Sequence, residues 1–143
     1  MRNAIKFWSM LAAFAIVWAD KTMAEGALAV GITGDVAKDG YALGFNVNSA
    51  TESEAQEGAL DWCRTHPGQQ YKVSALCKVI NTFHHQCVAE ANDPKPGTPG
   101  AGWAVAPDKE SAEKLALTNC IATAGKDRKD ACRVADSKCD TMP

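Results

Sequence analysis

Six cysteines are the residues of this chain whose chemistry is easiest to recognise. They form two sets of three: Cys63, Cys77 and Cys87, then Cys120, Cys132 and Cys139. Zinc sites and thiol redox sites typically need closely spaced pairs such as Cys-x-x-Cys, and the chain has no such pair. An even number of widely spaced cysteines in a short exported chain instead indicates structural disulfides.

Three histidines could act as acids, bases or metal ligands near neutral pH. His66 precedes a Pro-Gly pair and is interpreted as a loop residue. His84 and His85 are adjacent. If they lie in a strand, their side chains would point to opposite faces and could not readily hold one ion. We therefore expect no metal site and no cofactor. His84 and His85 remain candidates for partner contact.

The chain shows no motif for an activated nucleophile or a bound phosphate. It lacks a Gly-x-Ser-x-Gly elbow and a Gly-Lys-Ser/Thr sequence, so no catalytic residue is assigned. Trp62 lies beside Cys63 and outside the alanine stripe of its helix, so we expect it to be partly exposed. It would then either cover the Cys63 disulfide or contact a partner.

The N-terminal residues have the layout of a secretory signal peptide. A basic start precedes an apolar run from Phe7 to Val17, and small residues follow at Ala19 and Ala24. The run is shorter than the roughly 20 residues that span a bilayer, so no stable membrane anchor is expected after cleavage. We predict a signal peptide over residues 1–24, with cleavage after Ala24 or, alternatively, Ala19. The protein would then be periplasmic or extracellular.

The charge of the chain argues against one class of partner. Its formal net charge is −2 and its pI is about 5.9, whereas nucleic-acid-binding domains typically have a basic surface and a high pI. No nucleic-acid partner is expected. Residues 25–143 are long enough for a single domain with an ordinary core.

The predicted domain consists of two copies of one pattern, at about residues 26–85 and 86–143. Gly44-Phe45-Asn46-Val47 corresponds to Gly102-Trp103-Ala104-Val105, and each copy then has a helix-like segment with alanines four residues apart that ends at a cysteine. Thr51 and Asp108 are typical N-cap residues of those helices, and Glu54 completes a capping box. Each unit is interpreted as strand, strand, helix, strand.

The strands follow from alternating apolar residues. Tyr41–Val47 predicts one strand, and a second should place Cys77, Val79 and Phe83 on one face. Gly31–Gly40 is interpreted as a turn and Asn92–Gly100 as an exposed loop rather than a domain linker, because one unit alone has too small a core. We therefore predict a compact α+β domain in which the two pseudo-symmetric units share a mainly antiparallel sheet with helices packed on it.

The repeat narrows the 15 pairings that six cysteines allow. If the units are equivalent, the simplest set is Cys63–Cys77, Cys120–Cys132 and Cys87–Cys139. The first two would join each helix end to the next strand, and the third would join the two units.

Several short motifs together carry a resemblance to a known family. They are Gly26–Gly31, the Ala-x-x-x-Ala-Leu-x-x-Cys segments Ala55–Cys63 and Ala112–Cys120, the Cys-x-Val strand starts, and Gly102–Ala106. In these motifs the chain resembles the secreted bacterial domain-of-unknown-function family 4189. The resemblance covers the chain beyond the signal peptide and implies exported bacterial proteins with disulfides and no agreed activity. The chain departs from it at Cys87–Ala91, where the family usually has a glycine-closed apolar strand.

The leading functional hypothesis is a non-enzymatic exported protein that binds another protein or a cell-envelope component. It rests on the disulfide scaffold and on the missing catalytic motifs. One alternative is a small secreted or periplasmic hydrolase with His84 or His85 as base and an acidic partner. Another alternative is a structural envelope protein.

Overall fold

The computed structural model describes residues 25–67 and 70–141, so the predicted signal peptide lies outside the described residues. In chain order the elements are β1 (Glu25–Ile32), α1 (Val36–Asp39), β2 (Tyr41–Ser49), α2 (Glu52–Thr65), α3 (Tyr71–Ser74), β3 (Lys78–Phe83), β4 (Cys87–Asn92), β5 (Ala101–Ala106), α4 (Lys109–Thr123), a 3₁₀ turn (Lys129–Ala131) and β6 (Arg133–Cys139). None of the described helices is long and apolar enough to cross a bilayer.

The two halves of the chain have the same order of main elements. Each contains two strands, a long helix and a third strand. In each half the first strand lies at the centre of an antiparallel three-stranded sheet, with the order β2-β1-β3 in the first half and β5-β4-β6 in the second. The predicted α+β class with antiparallel pairing is confirmed.

The expectation of one shared sheet is wrong, because the structure has two separate sheets. Each central strand is hydrogen-bonded on both sides by strands of its own half, so it has no free edge for the other unit. The two sheets instead bury apolar side chains against each other, including Leu28, Phe45, Phe83 and Val88. The units therefore associate through sheet faces rather than through a strand edge.

The outer face of each sheet is covered by the long helix of its own half. Both helices begin at the predicted N-caps: Thr51 accepts a hydrogen bond from the Glu54 amide at 3.2 Å, and Asp108 accepts one from the Ser111 amide at 2.8 Å. The buried residues between each helix and its sheet are mostly alanine and cysteine. Small side chains let each helix backbone lie close to the strands.

Two equivalent glycines mark the points of closest approach. A Cβ at Gly44 would lie 2.4 Å from the Ala59 carbonyl oxygen, and one at Gly102 would lie 2.3 Å from the Ala116 carbonyl oxygen. Real Cβ atoms do not tolerate such contacts with backbone, so the helix would have to shift. This contact explains why the sequence pattern has glycine at the same place in both units.

Replacing Gly102 with alanine should therefore lower the free energy of unfolding by about 3 kcal/mol, because overpacking against a helix backbone cannot be relieved by side-chain rotation. Chemical denaturation followed by far-UV circular dichroism measures the effect. Gly34→Ala is the matched control, since nothing lies within 4 Å of a Cβ there. Equal stability of the two variants would contradict the close helix contact.

A β-bulge in β3 changes which residues of that strand share a face. Leu28 pairs with Asn81 and Ala29 with Val79, so the intervening Ile80 has no partner on β1. The extra residue reverses the alternation beyond it. Cys77 therefore packs in the helix-facing cluster and Phe83 in the cluster between the sheets. The prediction that both share one face is wrong.

Two of the three disulfides connect a long helix to the sheet of its own half, and the third connects two strands of the second sheet. They join Cys63 to Cys77, Cys120 to Cys132 and Cys87 to Cys139, which are the pairs that the repeat predicts. The role assigned to the third pair needs correction. Cys87 and Cys139 lie opposite each other on β4 and β6 of the second sheet, so this bridge does not cross between the sheets.

The proline-rich loop after β4 is held at its base by a buried aspartate. Arg128 donates two hydrogen bonds to Asp93, at 2.7 and 2.6 Å, and the Lys95 amide donates a third at 3.0 Å. The Arg128 guanidinium is the main cause that lowers the pKa of Asp93 to about 2.

The loop between β1 and β2 is more structured than predicted, because the short helix α1 lies within Gly31–Gly40.

Candidate functional site

The two ends of the paired sheets carry different chemistry. At one end, which we call the upper end, β2 begins at Tyr41 and β4 ends at Asn92. At the opposite, lower end, β2 finishes at Ser49 and β4 begins at Cys87. At each end, side-chain hydrogen bonds connect the two halves of the fold. Each end also contains a group of polar residues.

The upper end is an open cleft of about 450 Å³ between the two sheets, beside the C-terminal end of α2. Its aromatic and polar side chains are Tyr41, Trp62, His66, Glu90, Asn92 and Asp136. Leu43 and Phe45 of β2 add an apolar wall. The cleft thus combines apolar surface with a few convergent polar groups, as ligand sites commonly do.

A hydrogen-bonded chain of three polar side chains crosses the cleft between the sheets. Tyr41 of the first sheet donates its phenolic hydrogen to Glu90 of the second at 2.5 Å. The Asn92 side-chain amide donates to the same phenolic oxygen at 3.1 Å. These two hydrogen bonds fix the orientation of the three side chains relative to one another.

Glu90 occupies a position that is apolar in the other half of the molecule. Leu28 of β1 pairs with residues of β2 and β3 immediately before the bulge, and Glu90 of β4 pairs with residues of β5 and β6 immediately before the equivalent bulge. By the same register, Asn92 is equivalent to Val30. Leu28 and Val30 belong to the core between the sheets, so polar residues replace core residues in one unit only.

The electrostatics of the cleft differ from those of a solvated surface. Burial is the main cause that raises the pKa of Glu90, the nearby Asp136 adds to the increase, and the hydrogen bond from Tyr41 counteracts it. Burial and the adjacent Glu90 also raise the pKa of Tyr41. A carboxyl group with a raised pKa can stay protonated in mildly acidic solution and donate a hydrogen bond.

Two aromatic rings form the rim of the cleft. The Trp62 side chain is 52% exposed, which agrees with the predicted partial exposure. Its ring centroid lies 4.8 Å from that of His66. His66 follows α2 directly and is exposed, as expected of a loop residue. Their spacing of four residues could have indicated this contact, because side chains one helical turn apart lie on the same face, but His66 was interpreted only as a loop residue.

The lower end brings the other two histidines together. His84 and His85 lie in the turn between β3 and β4, and their ring centroids are 3.8 Å apart. The expectation that they point to opposite faces is wrong, because they are not in a strand and His85 has a left-handed φ of 50°. Asp140 lies beside them. These residues are separate from the cleft, whose described lining includes neither histidine.

One comparison with known proteins assigns the chain to a family. The family model described as "Domain of unknown function (DUF4189)" matches residues 26–139. The chain belongs to the DUF4189 family. The resemblance seen in the sequence motifs is confirmed, and the matched DUF4189 region extends from the second residue of β1 to the end of β6 and includes every described residue that lines the cleft. No curated protein and no solved structure matches the chain.

The cleft was missed in the sequence because none of its polar residues belongs to a recognised motif. Glu90 alternates with Ala89 and Ala91, which is also the pattern of a solvent-facing strand residue. A usable signal was nevertheless present. The alternating alanines of Ala27-Leu28-Ala29 match those of Ala89-Glu90-Ala91, and this match alone aligns Glu90 with a leucine.

Proposed function

We propose that this DUF4189 protein is an exported, non-enzymatic binding protein whose ligand occupies the cleft around Glu90. The single observation that carries the proposal is the replacement of Leu28 and Val30 by Glu90 and Asn92 at equivalent positions between the sheets. Burying polar groups where a leucine and a valine would fit lowers stability unless each group finds a partner. Groups of this kind are typical of binding and catalytic sites.

The chemistry of the cleft favours a neutral saccharide, for example the glycan part of a cell-envelope component. No lysine or arginine is among the described lining residues, while Glu90 and Asp136 both carry carboxyl groups. An anionic ligand would meet repulsion there. Carboxyl, phenol and amide groups offer both donors and acceptors to hydroxyl groups. The exposed Trp62 ring provides a flat apolar face on which a sugar ring can stack.

Export is supported by the three disulfides, which persist in oxidising compartments. All six cysteines are paired. The basic and apolar pattern of residues 1–24 supports the same conclusion from the sequence. The proposal therefore places the binding event in the periplasm or outside the cell.

Isothermal titration with the N-acetylglucosamine tetramer, a neutral oligosaccharide, tests the proposal. We expect binding that weakens about tenfold or more in Trp62→Ala, because the stacking surface is lost. Tyr71→Ala is the matched control: Tyr71 is an aromatic residue, 86% exposed, that is not among the cleft's lining residues. Its affinity should equal that of the unmodified protein.

Two results would contradict the binding proposal. One is absence of binding to the N-acetylglucosamine tetramer and to glucose and galactose tetramers. The other is binding that Trp62→Ala and Tyr71→Ala leave equally unchanged, since the sugar would then bind elsewhere.

A hydrolase is the second candidate function, and one observation favours it. Glu90 and Asp136 are direct cross-strand partners, and the pKa of Glu90 is raised. A carboxyl group with a raised pKa, close to a second carboxyl group, is the usual acid of glycoside hydrolysis. Mass spectrometry of the tetramer after prolonged incubation with the protein separates the two candidate functions. Shorter products would show hydrolysis, and an intact tetramer would support binding without hydrolysis.

The histidine-based hydrolase has less support from the site. Asp140 stands beside His84, as that alternative requires of an acidic partner. However, both Asp140 oxygens accept backbone hydrogen bonds, from the Asn48 amide at 3.1 Å and the His85 amide at 3.0 Å. Asp140 therefore connects the two halves of the fold as well as facing the histidine.

A further inference from the structure

The turn between β3 and β4 presents two imidazoles on the same side of the molecule. His85 has a left-handed φ of 50°, which few residues other than glycine adopt, although histidine, asparagine and aspartate adopt it more often than most. This turn brings the rings of His84 and His85 to a centroid distance of 3.8 Å with a tilt of 49°. Residues that hold unusual backbone conformations are often found at functional sites.

A buried carboxylate lies against the two histidines. The Asp140 side chain has no solvent exposure, and the residue directly follows Cys139 of the Cys87–Cys139 disulfide. The Asn48 and His85 amides each donate a hydrogen bond to one of its oxygens. A carboxylate oxygen has two lone pairs, so each oxygen retains the capacity for one further bond. The carboxylate is thus positioned in advance.

The distances suit a bound cation. Ligand atoms of His84, His85 and Asp140 all lie within 4.8 Å of one another. His84 Nδ1 is 3.9 Å from Asp140 Oδ2 and 4.0 Å from Glu25 Oε1. Zinc bonds of roughly 2.0–2.2 Å hold their ligand atoms about 3–3.5 Å apart. Small rotations of the exposed His85 and the half-buried His84 side chains would bring these atoms into range.

We propose that His84, His85 and Asp140 bind a divalent transition-metal ion of the zinc class, with Glu25 close enough to supply a further oxygen. Two imidazoles with one or two carboxylates are typical zinc ligands. Oxygen-only sites for calcium or magnesium have a different composition. Glu25 belongs to β1 and Asp140 follows β6, so the ion would link the two halves of the fold. This site is independent of the saccharide cleft.

Titration of the protein with zinc chloride alone, at pH 7.5, tests the proposal. We expect one zinc ion per chain in isothermal titration, and a melting temperature that rises by about 5 °C in saturating zinc. His84→Ala and His85→Ala should each weaken zinc binding about tenfold or more, because each removes one ligand. The backbone amide of residue 85, which bonds Asp140, is kept in both variants.

His66→Ala is the matched control, since His66 is the third histidine of the chain and belongs to the cleft at the other end. It should bind zinc as the unmodified protein does. The change of melting temperature on adding zinc is compared within each variant, so a variant that is simply less stable is still informative.

Three outcomes would overturn the metal site. The first is no detectable zinc binding by the unmodified protein. The second is a double variant, His84→Ala/His85→Ala, that binds zinc as tightly as the unmodified protein. The third is a loss of zinc affinity in His66→Ala as large as that in His84→Ala or His85→Ala. If the unmodified protein binds no zinc, the contact of His84 and His85 with Asp140 would serve only to stabilise the fold.

Discussion

Glu90→Leu should give a protein that is more stable and no longer binds its ligand. Leucine is the residue at the equivalent position of the first unit, where it is 1% exposed and packs between the sheets. A side chain of that shape therefore has a precedent in the same fold. Replacing a partly buried polar group with a well-packed apolar one commonly stabilises a protein. We expect the free energy of unfolding to rise by about 1 kcal/mol, the gain being limited because Tyr41 loses its acceptor.

Urea denaturation and saccharide titration of the same preparation measure both effects. Glu90→Gln is the control that keeps the size and hydrogen-bonding ability of the side chain but cannot ionise. We expect it to fold normally and to bind more weakly than the unmodified protein. A Glu90→Leu variant that is several kcal/mol less stable would show that the carboxyl group has a structural role, and unchanged affinity would remove Glu90 from the site.

Glu90→Gln and Glu90→Leu should both differ from the unmodified protein in the pH dependence of stability. The pKa of Glu90 is raised in the folded protein, so between the unfolded and folded pKa values the native state binds more protons than the unfolded state. The stabilisation from protonated Glu90 is therefore fully present below the pKa that Glu90 has in the unfolded protein. It decreases as the pH rises through the pKa that Glu90 has in the folded protein. Glu90→Gln and Glu90→Leu should both lack this decrease.

Removal of the Cys87–Cys139 disulfide should destabilise the protein more than removal of either other bridge. Its cysteines are 52 residues apart, against 14 for Cys63–Cys77 and 12 for Cys120–Cys132. In the chain-entropy model a longer closed loop restricts the unfolded chain more, which gives about 4 kcal/mol for the long bridge and about 3 kcal/mol for each short one.

Guanidinium denaturation of the three double-alanine variants tests this order. Thiol titration of the unmodified protein under denaturing, non-reducing conditions provides the control and should find no free thiols, since all six cysteines are paired. If the Cys87→Ala/Cys139→Ala variant were the most stable of the three, packing around the short bridges would outweigh loop entropy. Six free thiols would contradict the disulfide framework itself.

Local features of this fold could be predicted because they depend on residues close together in the sequence. The N-caps Thr51 and Asp108 and the alanine-rich faces of α2 and α4 all follow from spacing within one segment. The disulfide pairs required one further step, the assumption that the two units are equivalent. That assumption reduces six cysteines to one simple set.

Long-range features could not be obtained from the same patterns. Alternating residues indicate that a strand has two faces, but they do not identify its hydrogen-bonding neighbours, and so one sheet was expected where two occur. The unpaired Ile80 on β3 has no distinctive sequence signal, yet it turns Phe83 to the opposite face. The φ of His85 similarly converts two diverging histidines into adjacent ones.

The candidate site was the least predictable part because its environment comes from both sheets. Glu90 is partly buried only because β2 of the first unit packs across it and contributes Tyr41. Nothing near Glu90 in the sequence indicates that contact, which joins residues 49 positions apart. Trp62 was identified as an exposed residue, but its role at the rim of the cleft depends on the same packing.

An NMR titration of the ¹⁵N-labelled protein with the N-acetylglucosamine tetramer tests most directly whether the cleft is the binding site. The account predicts that the largest shift changes occur at the Trp62 indole N–H and at the backbone amides of Glu90, Asn92 and Asp136. Shift changes confined to other surfaces, such as the outer face of α4, or no changes with any neutral tetramer, would contradict it.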